Sequence, residues 1–462
     1  AANLISAGDH VLNVTGVDTV TVNDGNGGAT VTAQDGADLS GFTADVEFDV
    51  VDDVADLKAI MGQNDAASYL TEANSITVDN GSGDRVVGAQ DGAILASFTA
   101  DVDFDVVATA DEIAAELTGS IAPGTGVNSL DEAADVVVSG GDVDAEDAAA
   151  IMQISGYNTG GSQFEITDDV ASVISAGTGV IENGGVSKVE VTGVADVSEG
   201  IVLNAFTSNV EFDVSGTADD IFAEVNNLGD ADDVFVVSGD VSISEAQSIQ
   251  SLGGYNASGS TYEIEDSAAN ITASTDTLMQ NGTIKVDVTD TDVNASIGNT
   301  LAAFTADIEF DVSDTAANIA AQIAAGNGTN GTGYGADSLE DAGSVVVESG
   351  SAVLASQAES IQDLANYSGG DIDITDSAAN LISAGDHVLN VTGVDHITTT
   401  EATVGASDGA LLGAFTADVH FDVADTAANI AAEVMGANSA TDLDEALSVV
   451  VQSGDAVSVA EA

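Results

Sequence analysis

Carboxylates are the one reactive side chain this sequence supplies in quantity. Asp and Glu number 79, against four Lys or Arg and four His, for a formal net charge of −75. Many sit at the centre of short triplets flanked by apolar residues. They are Glu165 in FEI (164–166), Glu190 in VEV (189–191), Asp213 in FDV (212–214), Glu263 in YEI (262–264), Asp287 in VDV (286–288), Asp311 in FDV (310–312), Asp373 in IDI (372–374) and Asp422 in FDV (421–423). If these triplets are strands stacked in register, neighbouring acids lie ~4.8 Å apart. Two carboxylates at that distance repel by about 0.9 kcal/mol in water, and a few-fold more near protein. A column of them calls for cations. Ca²⁺, which takes many oxygens in flexible geometry, is the expected ligand of these eight residues or of nearby turns. The competing expectation is a solvated acidic face in salt. The segments NDGNGG (23–28) and NGSGD (80–84) suit either calcium or a turn of positive φ.

The same alignment puts Val236, Val346 and Val450 where the other triplets carry an acid, and Asn390 of LNV (389–391) joins the column too. The valines are expected to be outward apolar spots covered by a side loop, the alternative being a lateral contact between rods.

Catalytic chemistry finds little material. Cys is absent. His10 and His387 occupy one repeat position, and His420 replaces the Glu of VEFDV. Zinc-protease, nucleophile-elbow, phosphate-loop and dinucleotide signatures are missing. Identical carboxylate pairs recur throughout, which argues for architecture over one tuned acid–base pair. The chain is therefore expected to be no enzyme. Lys188 and Lys285 open equivalent strands (KVEV, KVDV). In a glycan-cleaving protein they would face substrate; partial neutralisation of the acids is the preferred reading.

The elements that must carry these residues repeat. FTADVEFDV (42–50) recurs at 98–106, 206–214, 304–312 and 415–423, and finer strand centres follow about every 25 residues. Apolar–polar alternation marks the triplets as half-buried strands. Each leads into a helix start: in VSDTAANIAAQI (312–323), Asp314 or Thr315 serves as N-cap, and Ala316, Ile319, Ala320 and Ile323 share one face. Gly-rich segments such as NTGGS (158–162) and AGNGTNGTG (325–333) close the segments. In TVNDGNGGATVTAQDGA (21–37) a further turn is expected in place of the helix. Strands joined through helices must be parallel. The expected fold is an α/β repeat, a right-handed β-α solenoid with a parallel sheet and short helices at about 25 residues per coil. It should run through 1–462 as one continuous solenoid. Its large repeats fall at about 1–106, 107–214, 215–312, 313–423 and an incomplete 424–462. Residues 1–18 recur unchanged at 378–395, and VSVAEA (457–462) aligns with VSISEA (241–246). The chain is thus expected to be an excerpt that opens and stops within a repeat.

The segments VSDTAANIAA (312–321), ITDSAANLISA (374–384), IEDSAANITAS (264–274) and VSISEAQSIQSL (241–252) resemble a repeat of very large type I-secreted bacterial surface proteins. The resemblance covers most of the chain from about residue 100. It implies cell-surface placement and often calcium dependence, in adhesin-like or surface-layer-like proteins. Without a basic surface, nucleic-acid binding is excluded. No stretch reaches the ~18 apolar residues that span a bilayer. The expected role is a structural protein of a surface layer, sheath or filament, self-associating, with cell-surface glycans as a second partner. The alternatives are the extended stalk of a giant adhesin and a glycan-binding or glycan-cleaving solenoid.

Overall fold

A computed structural model describes residues 1–15, 17–23, 30–61, 70, 72–97, 101–119, 130–326, 339–350, 352–435 and 443–452. NDGNGG beyond Asn23, AGNGTNGTG beyond Gly326 and the whole of VSVAEA lie outside the described residues. The chain forms two compact units: Ala1–Gly216 with Glu224–Phe235 and Leu252–Tyr255, and Thr217–Ala223 with Val236–Ser251 and Asn256–Ala462.

Both units are α/β, built of short parallel strands and short helices. In the first, Thr30–Val31, Asp49–Asp52, Ser75–Val78 and Val102–Asp103 pair in that order. Val86–Val87, Asp105–Ala108 and Asp135–Val138 make a second sheet. Asp142–Val143, Phe164–Asp169, Val186–Asp196 and the strand beginning at Val210 follow in a third. In the second unit, Asp240–Val241, Tyr262–Asp266, Thr283–Val288 and Ile308–Glu309 form one sheet. Val312–Thr315, Val345–Glu348 and Tyr367–Gly370 form another. Ile372–Asp376, Val394–Thr399 and Val419–His420 form a third, and Asp422–Asp425 pairs with Ser448–Val451. Parallel pairing follows from the intervening helices, which return the chain to the same end of the sheet.

Alternation places one face of many strands inside. Phe164, Ile166, Tyr262, Ile264, Ile372 and Ile374 are all buried. Each such side chain is worth ~1.5–3 kcal/mol when removed from water. The helices close the other side of the core, and Ala316, Ile319, Ala320 and Ile323 are buried as their spacing predicts. Side-chain caps start many helices: Thr32, Asp144, Ser242, Asn294 and Thr426 each accept a backbone N–H three residues on.

In VEFDV (46–50) the Phe is a corner. Val46 pairs with Val20, while Asp49 pairs with Thr30 in a different sheet, and buried Phe48 lies between them. Phe104, Phe310 and Phe421 repeat this handover.

Three expectations need correction. LNV (389–391) is no strand: Asp386–Leu389 is helical and the strand starts at Val394. Val236 points inward at 0% exposure, and Val237 is the exposed neighbour, because the alternation in Asp233–Ser238 runs one residue out of step with the assumed alignment. AQDGA (33–37) belongs to the helix Ala33–Ser40 rather than a further turn, since Thr32 caps it. At NGSGD the turn reading holds: Gly81, Ser82 and Gly83 have positive φ, and Asp79 Oδ1 accepts from the N–H groups of Gly81 and Gly83.

Candidate functional site

The eight triplet carboxylates do not stack on one another as equal spacing suggests. Glu165 lies opposite Lys188, not Glu190; Glu263 opposite Lys285, not Asp287; and Asp373 opposite His396, not Asn390. In each case a single extra residue enters the receiving strand (Ser187, Ile284 or Asp395) and shifts the pairing. Such bulges leave one residue unmatched and displace the register beyond it.

The shift puts a cation where the column needed one. Lys188 Nζ lies 3.3 Å from Glu190 and 2.8 Å from Glu211, which face each other across adjacent strands. Lys285 Nζ repeats this with Asp287 at 2.9 Å and Glu309 at 2.8 Å. Hydrogen bonds to Glu211 and Glu190 hold the Lys188 ammonium well above the ordinary lysine range, and Glu309 and Asp287 do the same for Lys285. His396 Nδ1 is 3.1 Å from Asp373. The remaining acids take neutral donors. Asp213 Oδ1 accepts from the Asp233 N–H, Asp311 Oδ1 from Ser344 Oγ at 2.8 Å, and Asp422 Oδ1 from Ser448 Oγ.

Among the described residues, the one set of three carboxylates with ligand atoms within 4.8 Å is Asp52, Asp53 and Asp56, so none of the eight belongs to such a set. Asp53, then Asp52, push the Asp56 carboxyl upward. Three oxygens of this set are already acceptors. Asp52 takes the N–H groups of Ala33 and Asp53, and Asp53 takes that of Asp56.

A different carboxylate chemistry recurs instead. Asp314 lies near the end of the strand Val312–Thr315, just before its last residue. Its Oδ2 accepts from the N–H of Ala295, the first residue of the preceding helix, at 3.0 Å. Its Oδ1 accepts from the Thr315 N–H and from Asn318 Nδ2, both at 2.7 Å. Thr315 Oγ1 in turn caps its own helix by accepting from the Asn318 N–H. The polar residues of D-[ST]-A-A-N thus divide the work. Asp fastens the preceding helix, Ser or Thr caps the following one, and Asn orients the Asp. Asp266, Asp376 and Asp425 make the same three bonds, to Ile243, Ala355 and Ala406 on the far side. Asp52 and Asp168 keep the far bond without the Asn. Asp290 and Glu401 fasten the helices starting at Ala268 and Ala378. The free N–H groups and positive end of each helix favour an anionic acceptor there. At Asp425, bonds from Ala406, Thr426 and Asn429 hold the carboxyl below its ordinary range. At Asp266 burial opposes the shift, and bonds from Asn270, Ile243 and Ser267 outweigh it.

A second tie explains the Thr of FTAD. Asp276 accepts from the Thr305 N–H at 2.9 Å, from Thr305 Oγ1 at 2.6 Å and from the Ala306 N–H. Asp386 does so with Thr416 and Ala417, and Asp9 with Thr43.

Sequence pattern alone marks D-[ST]-A-A-N as a helix start and leaves the cap open between Asp314 and Thr315. The far partner escapes that pattern because it lies 19 to 23 residues earlier in the chain. The co-occurrence of Asp with Asn four residues on is the signal that could have found it. Neither a family model nor a curated protein matches the chain.

Proposed function

We propose that this chain is a structural repeat protein of an extracellular assembly, such as a surface layer, sheath or filament. On this reading the strands and helices of each unit wind as a right-handed β-α solenoid of about 25 residues per coil. The observation that supports it most is the use of one carboxylate bond, in both units, to join a helix to the strand end that follows it, with the full D-[ST]-A-A-N motif in the second unit. A catalytic centre gathers unlike groups at one place. Here like groups play the same mechanical part at each repeat. The resemblance of D-[ST]-A-A-N segments to type I-secreted surface proteins favours the extracellular setting. No helix among the described residues is long and apolar enough to cross a membrane. The partner is further copies of the chain, with surface glycans secondary.

Electron microscopy of the purified chain, with light scattering over a concentration series, tests this. Ordered sheets or fibres are expected. Isolated monomers at every concentration would replace the assembly reading with the stalk of an adhesin, and saturable glycan binding would point to a glycan-active protein.

A further inference from the structure

We propose that the Asp of D-[ST]-A-A-N is a proton-operated latch, which fastens the preceding helix to its strand only while the carboxylate is ionised, so that acid releases the helices before the sheets separate. The argument starts from donor counting at Asp425. Its Oδ2 takes the Ala406 N–H at 2.9 Å, and its Oδ1 takes the Thr426 N–H at 2.7 Å and Asn429 Nδ2 at 2.8 Å. Every partner is a donor. A protonated carboxyl turns one oxygen into a donor itself. Protonation at Oδ2 weakens the Ala406 bond, and protonation at Oδ1 weakens the two bonds there.

Among the described residues of the elements around these two Asp, no positively charged side chain is free to hold the helix. Around Asp425 the nearby titratable groups are Asp408 in the fastened helix, Asp422 on its own strand and Glu433 in the following helix, while Ser448–Val451 carries none. Around Asp266 they are Glu245 in the fastened helix, Glu263 and Glu265 on its own strand, Asp240 on the paired strand, and Asp287 and Asp290 on the next strand and turn. The cation of that strand, Lys285, is engaged by Asp287 and Glu309. The sheets, in contrast, are held by backbone hydrogen bonds that do not titrate.

The sign follows from linkage. A carboxyl held below its ordinary value stabilises the fold fully above the unfolded pKa, and that stabilisation is lost as pH falls through the folded one. For Asp266 and Asp425 the latch therefore opens below the usual carboxylate range of about 4.

Hydrogen exchange of the full chain, read amide by amide through an acid series and corrected for intrinsic rates, tests the proposal. The Ala406 and Ile243 amides are expected to lose protection at a higher pH than strand amides such as Val286. D425N should show an open Ala406 amide already at neutral pH. N429A, a milder change at an exposed side chain, should move the Ala406 opening to higher pH while leaving Ile243 unmoved. Helix and strand amides opening together at one pH, or an N429A profile identical to the parent at Ala406, would overturn the latch.

Discussion

Asp314 accepts the backbone N–H of Ala295 at 3.0 Å across 19 residues of chain, while Asn318 steadies the other oxygen of the same carboxylate at 2.7 Å. One side chain thereby couples the end of a strand to the start of the previous helix and to its own helix. Replacing it with Ala removes three bonds to an ionised acceptor and leaves the Ala295 N–H without its partner. Bonds to charged groups are worth about 1.5–3 kcal/mol each at most, and partial exposure reduces that. D314A is expected to lower the urea midpoint by the equivalent of about 2 kcal/mol, with N318A costing clearly less. Equal losses for the two would mean that Asn318, not the bond to Ala295, carries the effect.

The helix that Asp314 fastens lies very close to its strand. An added Cβ at Gly298 would stand 2.7 Å from Val312 Cγ2 and 3.3 Å from Phe310, and Gly409 repeats this with Val423 and Phe421. Gly to Ala inside a helix ordinarily stabilises by about 1 kcal/mol. Overpacking typically costs about 1–3 kcal/mol, and the contact at Gly298 is well inside van der Waals range. G298A is therefore expected to destabilise, against the propensity trend. In the double variant G298A/V312A the two losses should sum to less than their separate values, because the smaller Val312 position makes room. A more stable G298A in thermal melting would refute the close approach.

How much of this is legible in the sequence depends on distance along the chain. Alternation in FEI, YEI and IDI locates strands correctly, and spacing gives the buried face at Ala316, Ile319, Ala320 and Ile323. Both are local signals. The facing of Glu165 and Lys188 is not legible, because one unmatched residue, Ser187, changes every partner after it without altering the repeat length. Spacing fixes periodicity but not register. The tie from Asp276 to Thr305 is hidden for a related reason: each residue reads locally as a helix or turn polar group, and only the fold brings them within 2.6 Å.

Register also decides what Lys285 does. Its ammonium bridges Asp287 and Glu309, which otherwise face each other as like charges. Opposed like charges on adjacent strands are destabilising. K285M is expected to lower the melting temperature at low ionic strength, with most of the loss recovered in high salt as screening shortens the range of the repulsion. A salt-independent loss would show that Lys285 acts through packing of its stem.

Calcium offers a sharper discrimination. The eight triplet carboxylates are paired with Lys, His, Ser or backbone N–H groups, or lie opposite one, and none belongs to the three-carboxylate set found among the described residues. With a net charge of −75, any added cation should still stabilise by screening. Thermal melts in Ca²⁺ and in Mg²⁺ at matched ionic strength are therefore expected to coincide. A midpoint raised by Ca²⁺ alone would mean specific coordination, and D52N/D56N would then show whether it sits at the Asp52–Asp53–Asp56 set.

Acid sensitivity should be adjustable at Asp276 without touching the carboxyl. The Thr305 hydroxyl is the main cause holding that carboxyl below its ordinary range; burial opposes, and the Thr305 and Ala306 N–H groups assist. A depressed folded pKa stabilises above the unfolded value, and the gain disappears as pH falls through the folded one. T305V deletes the hydroxyl and keeps the backbone donors and the shape. The folded pKa then moves up toward the ordinary value, the stabilisation at neutral pH shrinks, and the acid loss of local order begins at higher pH. Following the Asp276 carboxyl by carbon NMR through an acid titration reads the shift directly, while exchange of the Thr305 amide reads the order. An Asp276 titration unchanged in T305V would assign the depression to the backbone N–H groups and remove the hydroxyl from the tie.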